Sequence, residues 1–291
     1  MKKSKIMNQV LVIAFLLLGN GTFAQIKTPA PSPAGSATST VGLTDIEINY
    51  FRPQVKGRKI FGEGDKYLQP YGTMWRAGAN QGTTIKFSTA VKVGDTDLAA
   101  GEYLFLATPS KDTWTAIFYT DIKMGGSLAG FQQENVAASL NVKPTKLNEL
   151  VNTLSYQITD ISDDSQKANI QLLWENTSVK VPITVSFDEQ VMKAIAKGTT
   201  VNVGNYATAA SYYLTTDKDL NQALEWMNLY LAEGNNSNEF WHVHTKAKIL
   251  AKMGKKKEAK DTATKSMELA KNFSGGDFGY IKLNQNLISS L

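Results

Sequence analysis

The hydrophobic period of this chain changes once, at Phe187, and that change limits what it can fold into more than any other feature. Before it, Ile46, Ile48 and Tyr50 alternate with Asp45, Glu47 and Asn49, the period of two that marks a half-buried strand. Similar strand-like patterns recur at 83–87, 103–108, 114–119, 153–161, 168–175 and 179–187. The intervening clusters, such as Val93-Gly94-Asp95, Ala99-Ala100-Gly101-Glu102, Pro109-Ser110-Lys111-Asp112 and Asn176-Thr177-Ser178, suit tight antiparallel turns better than crossover helices. After Phe187 the period becomes about 3.6, and β-branched residues give way to Ala, Lys, Leu, Glu and Met. Helices are predicted near 188–197, 203–215, 218–232, 238–253, 256–272 and 277–290. The two periods bury differently shaped faces, so the expected fold is an antiparallel β-sandwich or jelly-roll-like domain over 44–188, followed by an α-helical region over 189–291.

The first residues carry Lys2, Lys3 and Lys5 without an acid, then the apolar run Val10–Leu18, then the small and polar residues up to Ala24. This order predicts a secretory signal over 1–24, cleaved after Ala24. The apolar run is shorter than the about 20 residues needed to span a bilayer, so no retained membrane span is expected. Removing three lysines and no acids takes the formal charge from +5 to +2. A near-neutral exported chain gives no electrostatic reason to expect a nucleic-acid partner. Periplasmic or extracellular localisation follows as the expectation. The chain has no cysteine, which excludes disulfides, a lipidated cysteine anchor, a thiol nucleophile and Cys-ligated zinc or iron–sulfur sites. Residues 25–43, rich in Pro, Ser, Thr and Ala in their first part, read as a leader or edge segment.

Within the helical region, Ala247, Gly254 and Ala259 put small residues and a turn where paired helices must approach closely. Ala223 stands 36 residues before Ala259, near the period of about 34 of tetratricopeptide repeats. Two degenerate tetratricopeptide-like repeats and a closing helix are therefore expected, with a concave face suited to a protein partner.

Two uncommon motifs follow one another in the β region: Tyr50-Phe-Arg-Pro-Gln-Val-Lys-Gly-Arg58-Lys-Ile-Phe-Gly62 and Pro70-Tyr-Gly-Thr-Met-Trp-Arg-Ala-Gly-Ala-Asn80. With Thr84–Ser88, Ala100–Tyr103 and Trp114, they make this region resemble the bacterial family called domain of unknown function 2911. The resemblance covers most of the β domain and not the helical tail, and it implies no particular reaction.

The candidate chemistry is sparse. His242 and His244 lie two apart in a helical pattern, where their side chains diverge by about 200° and cannot chelate one metal ion. No metal site and no cofactor is expected. Both histidines lie in the helical region, so histidine-dependent catalysis is unavailable to the β domain unless the tail supplies it. Asp163-Asp164 and Asp95 with Asp97 read as solvated turn acids. The lysines at 252, 255, 256, 257 and 260 are interrupted by Glu258 and Asp261 and read as a solvated helix face. Gly125-Gly126 and Gly275-Gly276 read as loops, without a nucleotide-binding pattern.

The arginines carry more information. Of thirty-one basic residues only three are arginine, Arg52, Arg58 and Arg76, all inside the two motifs. Arginine supplies a planar donor fork that lysine lacks, which suggests bidentate or stacked contacts. Two readings follow. In one, the forks tie loops to carboxylates or main-chain carbonyls. In the other, Arg52, Arg58 and Arg76 form an anion or sugar-acid site with Trp75 as a stacking wall and Asn80 as a neutral donor and acceptor.

The leading functional expectation is a non-enzymatic exported module. Its β domain would bind a small anionic or carbohydrate ligand, or a surface, and its helices a protein. The alternatives are an envelope glycan or peptide hydrolase using Glu63, Asp65 or Glu102, and a purely structural envelope protein. No catalytic residue is assigned.

Overall fold

A computed structural model describes residues 28–199 and 202–291. The expected signal segment and its cleavage point lie outside the described residues. The chain divides into two compact units, one ending at Ser186 and the other beginning at Phe187.

The first unit is built from β1 (Ala34–Val41), β2 (Thr44–Phe51), β3 (Lys59–Gly62), β4 (Tyr67–Pro70), β5 (Thr83–Phe87), β6 (Val91–Val93), β7 (Thr96–Leu98), β8 (Gly101–Thr108), β9 (Trp114–Tyr119), β10 (Val136–Val142), β11 (Pro144–Thr159) and β12 (Lys167–Val185). An antiparallel six-stranded sheet runs β1-β2-β5-β8-β9-β10, and an antiparallel four-stranded sheet runs β11-β12-β6-β7. A small parallel pair, β3 with β4, stands apart.

The two large sheets share one core. Phe105 and Ala107 of one meet Tyr156, Ile170 and Leu172 of the other, around a residual void of about 10 Å³, roughly the room one water needs. The interior is therefore filled by side chains and is not a ligand chamber. At one end Phe61, Trp75, Trp114 and Trp174 form an aromatic cluster, with Trp75 and Trp174 stacked at 5.7 Å.

β8 and β9 are buried on both faces. Leu104, Leu106, Ile117 and Tyr119 point away from the shared core, and Met124, Leu128 and Phe131 of the 122–135 loop cover them. A strand covered on two sides reads as a continuous apolar run, which is why Tyr103–Ala107 shows no alternation. β1 lies within the segment read as a leader or edge. Its Ser, Thr, Ala and Gly side chains carry no hydrophobic alternation, and its full register with β2 supplies what its side chains do not.

Asn176-Thr177-Ser178 does not turn the chain back, as the sequence reading expected. β12 runs straight through it, with Glu175 in the left-handed region at φ 55°. This kinks the strand while both halves go on pairing with β11. Lys146 pairs with Thr177 and Val151 with Glu175, so Leu147–Leu150 bulge opposite Asn176 alone.

The second unit contains six helices among its described residues: α1 (Asp188–Thr199), α2 (Tyr206–Thr215), α3 (Leu220–Ala232), α4 (Phe240–Lys252), α5 (Lys256–Lys271) and α6 (Tyr280–Ser289). From α2 onward each packs on the next. Ala223, Ala247 and Ala259 are all fully buried where the helices meet, as small residues at close approaches must be. Asp219 caps α3 by accepting from the Asn221 and Gln222 amides. Asp188 ties α1 to the α2–α3 hairpin by accepting from the Tyr212 hydroxyl at 2.6 Å and pairing with Lys218 at 2.9 Å. No helix among the described residues is long and apolar enough to cross a membrane.

Candidate functional site

Arg58 and Arg76 direct their side-chain hydrogen bonds to main chain. Arg58 Nε donates to the Val55 carbonyl at 3.1 Å and Nη2 to that of Gln54 at 2.5 Å, closing the turn after β2. Arg76 Nη1 donates to the Gly126 carbonyl at 2.7 Å and to that of Asn80 at 3.4 Å, fastening the loop that covers Leu104 and Leu106. The fit there is tight: a Cβ on Gly126 would lie 1.9 Å from the Asn80 carbonyl oxygen. Arg52 lays its stem over Gly35, and its Nε is buried without a hydrogen-bond partner.

Trp75 is only 3% exposed, packed in the aromatic cluster with its indole N–H on the Gly78 carbonyl at 3.0 Å. No open face remains for stacking a ligand. Asn80, exposed and left-handed at φ 52°, reaches the Ser32 carbonyl at 3.4 Å. Arg76 and Asn80 thus touch, and Arg52 and Asn80 both border the 32–35 segment. Arg58 serves a separate turn. Ala77, between them at φ 48°, is held by two buried hydroxyls on its carbonyl, Thr83 at 2.9 Å and Tyr156 at 2.6 Å.

None of these five residues lines a surface cleft of about 320 Å³ at this end of the β unit's loops. Its aromatic lining is Phe61, Tyr71 and Trp114, of which Phe61 and Trp114 are buried, and its polar lining is Ser110, Lys111, Thr145, Lys146, Glu175, Asn176 and Thr177. The β11 bulge opens it, because Leu147–Leu150 leave the ladder beside Lys146 and Asn176. Asn176 Nδ2 holds the bulge by donating to the Leu147 carbonyl at 3.3 Å.

The first motif supports this wall. Past the bulge, Val55 donates to Asn152 at 2.8 Å and Leu154 to Pro53 at 3.0 Å, main chain to main chain. Arg58 closes the turn from which those contacts come. Glu175 Oε1 accepts from the Ile60 amide at 3.1 Å, which fixes the carboxylate in the cleft. A left-handed non-glycine residue costs about 1–3 kcal/mol, so the fold holds Glu175 there against local preference.

The second motif contributes Tyr71, whose amide donates to Gly62 at 2.8 Å. Burial raises the Tyr71 phenol above its ordinary value, reinforced by Tyr67, Glu175, Glu63 and Asp112. The phenol therefore stays protonated near neutrality and can donate. Sequence reasoning missed Tyr71, Lys111, Lys146 and Glu175. Of these, Tyr71 stood inside a quoted motif, and Lys111 and Glu175 lay in or beside segments read as turns.

Glu63 and Asp65 are exposed in the β3–β4 connection, and Glu102 is exposed opposite Lys86. Glu175 is the one carboxylate lining the cleft. The histidines take separate partners. His242 faces Glu239 and the Tyr230 ring, and His244 Nδ1 meets Asn284 Oδ1 at 2.8 Å. Asp163 and Asp164 sit in the β11–β12 turn, where Asp164 accepts from the Ser162 hydroxyl at 2.5 Å and the Gln166 amide at 3.0 Å.

Residues 32–183 match the family described as "Protein of unknown function (DUF2911)". No curated protein and no solved structure matches the chain.

Proposed function

The chain belongs to the DUF2911 family, and from that premise we propose that its β unit is a non-catalytic binding module holding a small carbohydrate-like ligand in the Tyr71–Lys111–Glu175 cleft. The cleft itself carries this reading. Its volume of about 320 Å³ falls within the few hundred cubic ångströms of small-ligand sites. The half-buried Tyr71 ring beside the hydroxyls of Ser110, Thr145 and Thr177 and the Asn176 amide suits a sugar ring, which has apolar faces and a polar edge.

A single lining carboxylate favours binding over glycoside hydrolysis, which ordinarily needs two carboxylates about 5–10 Å apart. The main-chain contacts of Arg58 and Arg76 support a scaffolding role for those two, while Arg52, with its unpartnered Nε, remains the arginine best suited to an anion. In this reading the chain works outside the cytoplasm after loss of residues 1–24. Its helices form a tetratricopeptide-like pair with a closing helix that contacts a protein. The exposed rings of Phe273 and Phe278 beside Phe240 support that contact.

Isothermal titration of the chain with monosaccharides and short envelope glycans tests the proposal. Saturable binding, weakened in Tyr71→Phe without a change in melting temperature, is expected. No saturable binding across the panel contradicts it.

A further inference from the structure

Building on that reading of the cleft, we infer that it selects acidic sugars, with Lys111 and Lys146 holding the ligand carboxylate and the second oxygen of Glu175 accepting from ligand hydroxyls. Lys111 comes from the β8–β9 turn and Lys146 from β11 at the edge of the bulge, yet both line one cleft. Neither forms an ion pair among the described residues.

The carboxylate of the cleft pairs with neither. Glu175 is bound through Oε1 to the Ile60 amide and makes no salt bridge. Two exposed cations against the one lining carboxylate favour a singly charged anion, through an attraction that solvent and salt screen. The two lysine ammoniums supply the charge, and Tyr71 and Asn176 the neutral donors.

A carboxylate fits better than a phosphate. Lysine ammoniums hold either anion as point charges, so the difference between the two lies in the charge they carry. Glu175 in the same cleft also repels a doubly charged group more than a singly charged one.

The test measures affinities of the full chain for glucuronate, galacturonate and N-acetylmuramate beside glucose, galactose, N-acetylglucosamine and glucose 6-phosphate. At least one acid should bind about tenfold or more tighter than its neutral counterpart, the scale of one charge-assisted contact. That preference should shrink with added salt. Lys111→Gln and Lys146→Gln should each remove most of it while leaving the melting temperature unchanged. Equal binding of acid and neutral sugars, no effect of either lysine change, or tighter binding of the sugar phosphate would each overturn the inference and leave the carbohydrate reading standing. No binding of any sugar would overturn both.

Discussion

At the scale of single residues, two of the three arginines, Arg58 and Arg76, each bind two main-chain carbonyls. That three arginines stand among thirty-one basic residues is visible in the sequence. What their forks meet is not, because the Gly126 carbonyl lies fifty positions from Arg76. Arg76→Lys should cost about 0.5–1.5 kcal/mol, the worth of the hydrogen bonding it loses. Gly126→Ala should cost more, since its Cβ would meet backbone. Urea denaturation of both measures this, and an unchanged midpoint in both would contradict the clamp. Trp75 shows the limit of reading one residue at a time. A tryptophan beside an arginine suits a ligand wall as well as a core, and only its neighbours Trp174, Phe61 and Trp114 decide for the core. Trp75→Ala should cost about 3–5 kcal/mol, which a thermal or chemical melt would register. Near-wild-type stability would contradict the packing.

At the scale of elements, the strands with clean alternation and all six helices are legible because each buries one face. β1, β3, β4, β6, β7 and β10 are not, because short or edge strands take their stability from pairing and leave little periodic trace. The β12 kink escaped for a related reason: Asn-Thr-Ser marks a turn equally well when the strand carries on past it. The cleft depends on that kink and on the facing bulge, so its residues could not be gathered from sequence spacing. In the helical unit, Asp188 makes the element contacts pH-sensitive at both ends. The Tyr212 hydroxyl and then Lys218 hold its carboxyl below the ordinary value. The stability this contributes is present above the ordinary carboxylate range and lost as pH falls through the lowered value. Burial and the bond to Asp188 raise the Tyr212 phenol to about 12. That contribution is present below the ordinary tyrosine value of about 10 and lost as pH rises toward about 12. Asp188→Asn should flatten both flanks of a plot of melting temperature against pH for the helical unit. Unchanged flanks would contradict the assignment.

At the scale of the whole molecule, the change of hydrophobic period and the break between the two units fall at the same place, Ser186–Phe187. Each unit has its own core, so residues 28–186 should fold alone with the two-sheet fold intact, as far-ultraviolet circular dichroism and a cooperative melt would show. A fragment that stays unfolded would mean that the β unit depends on the helices. The proposed binding cleft is the feature least legible in the sequence, because it draws on Phe61 of β3, Tyr71, Ser110-Lys111 and the β11–β12 bulge, which only the fold brings together. Amide chemical-shift mapping of the full chain during titration with an acidic sugar tests this account most directly. The account predicts saturable shifts concentrated at Tyr71, Ser110-Lys111, Thr145-Lys146 and Glu175–Thr177. Shifts centred instead on Arg52, Arg76, Asn80 and Gly126, or no saturable shifts at all, would contradict it.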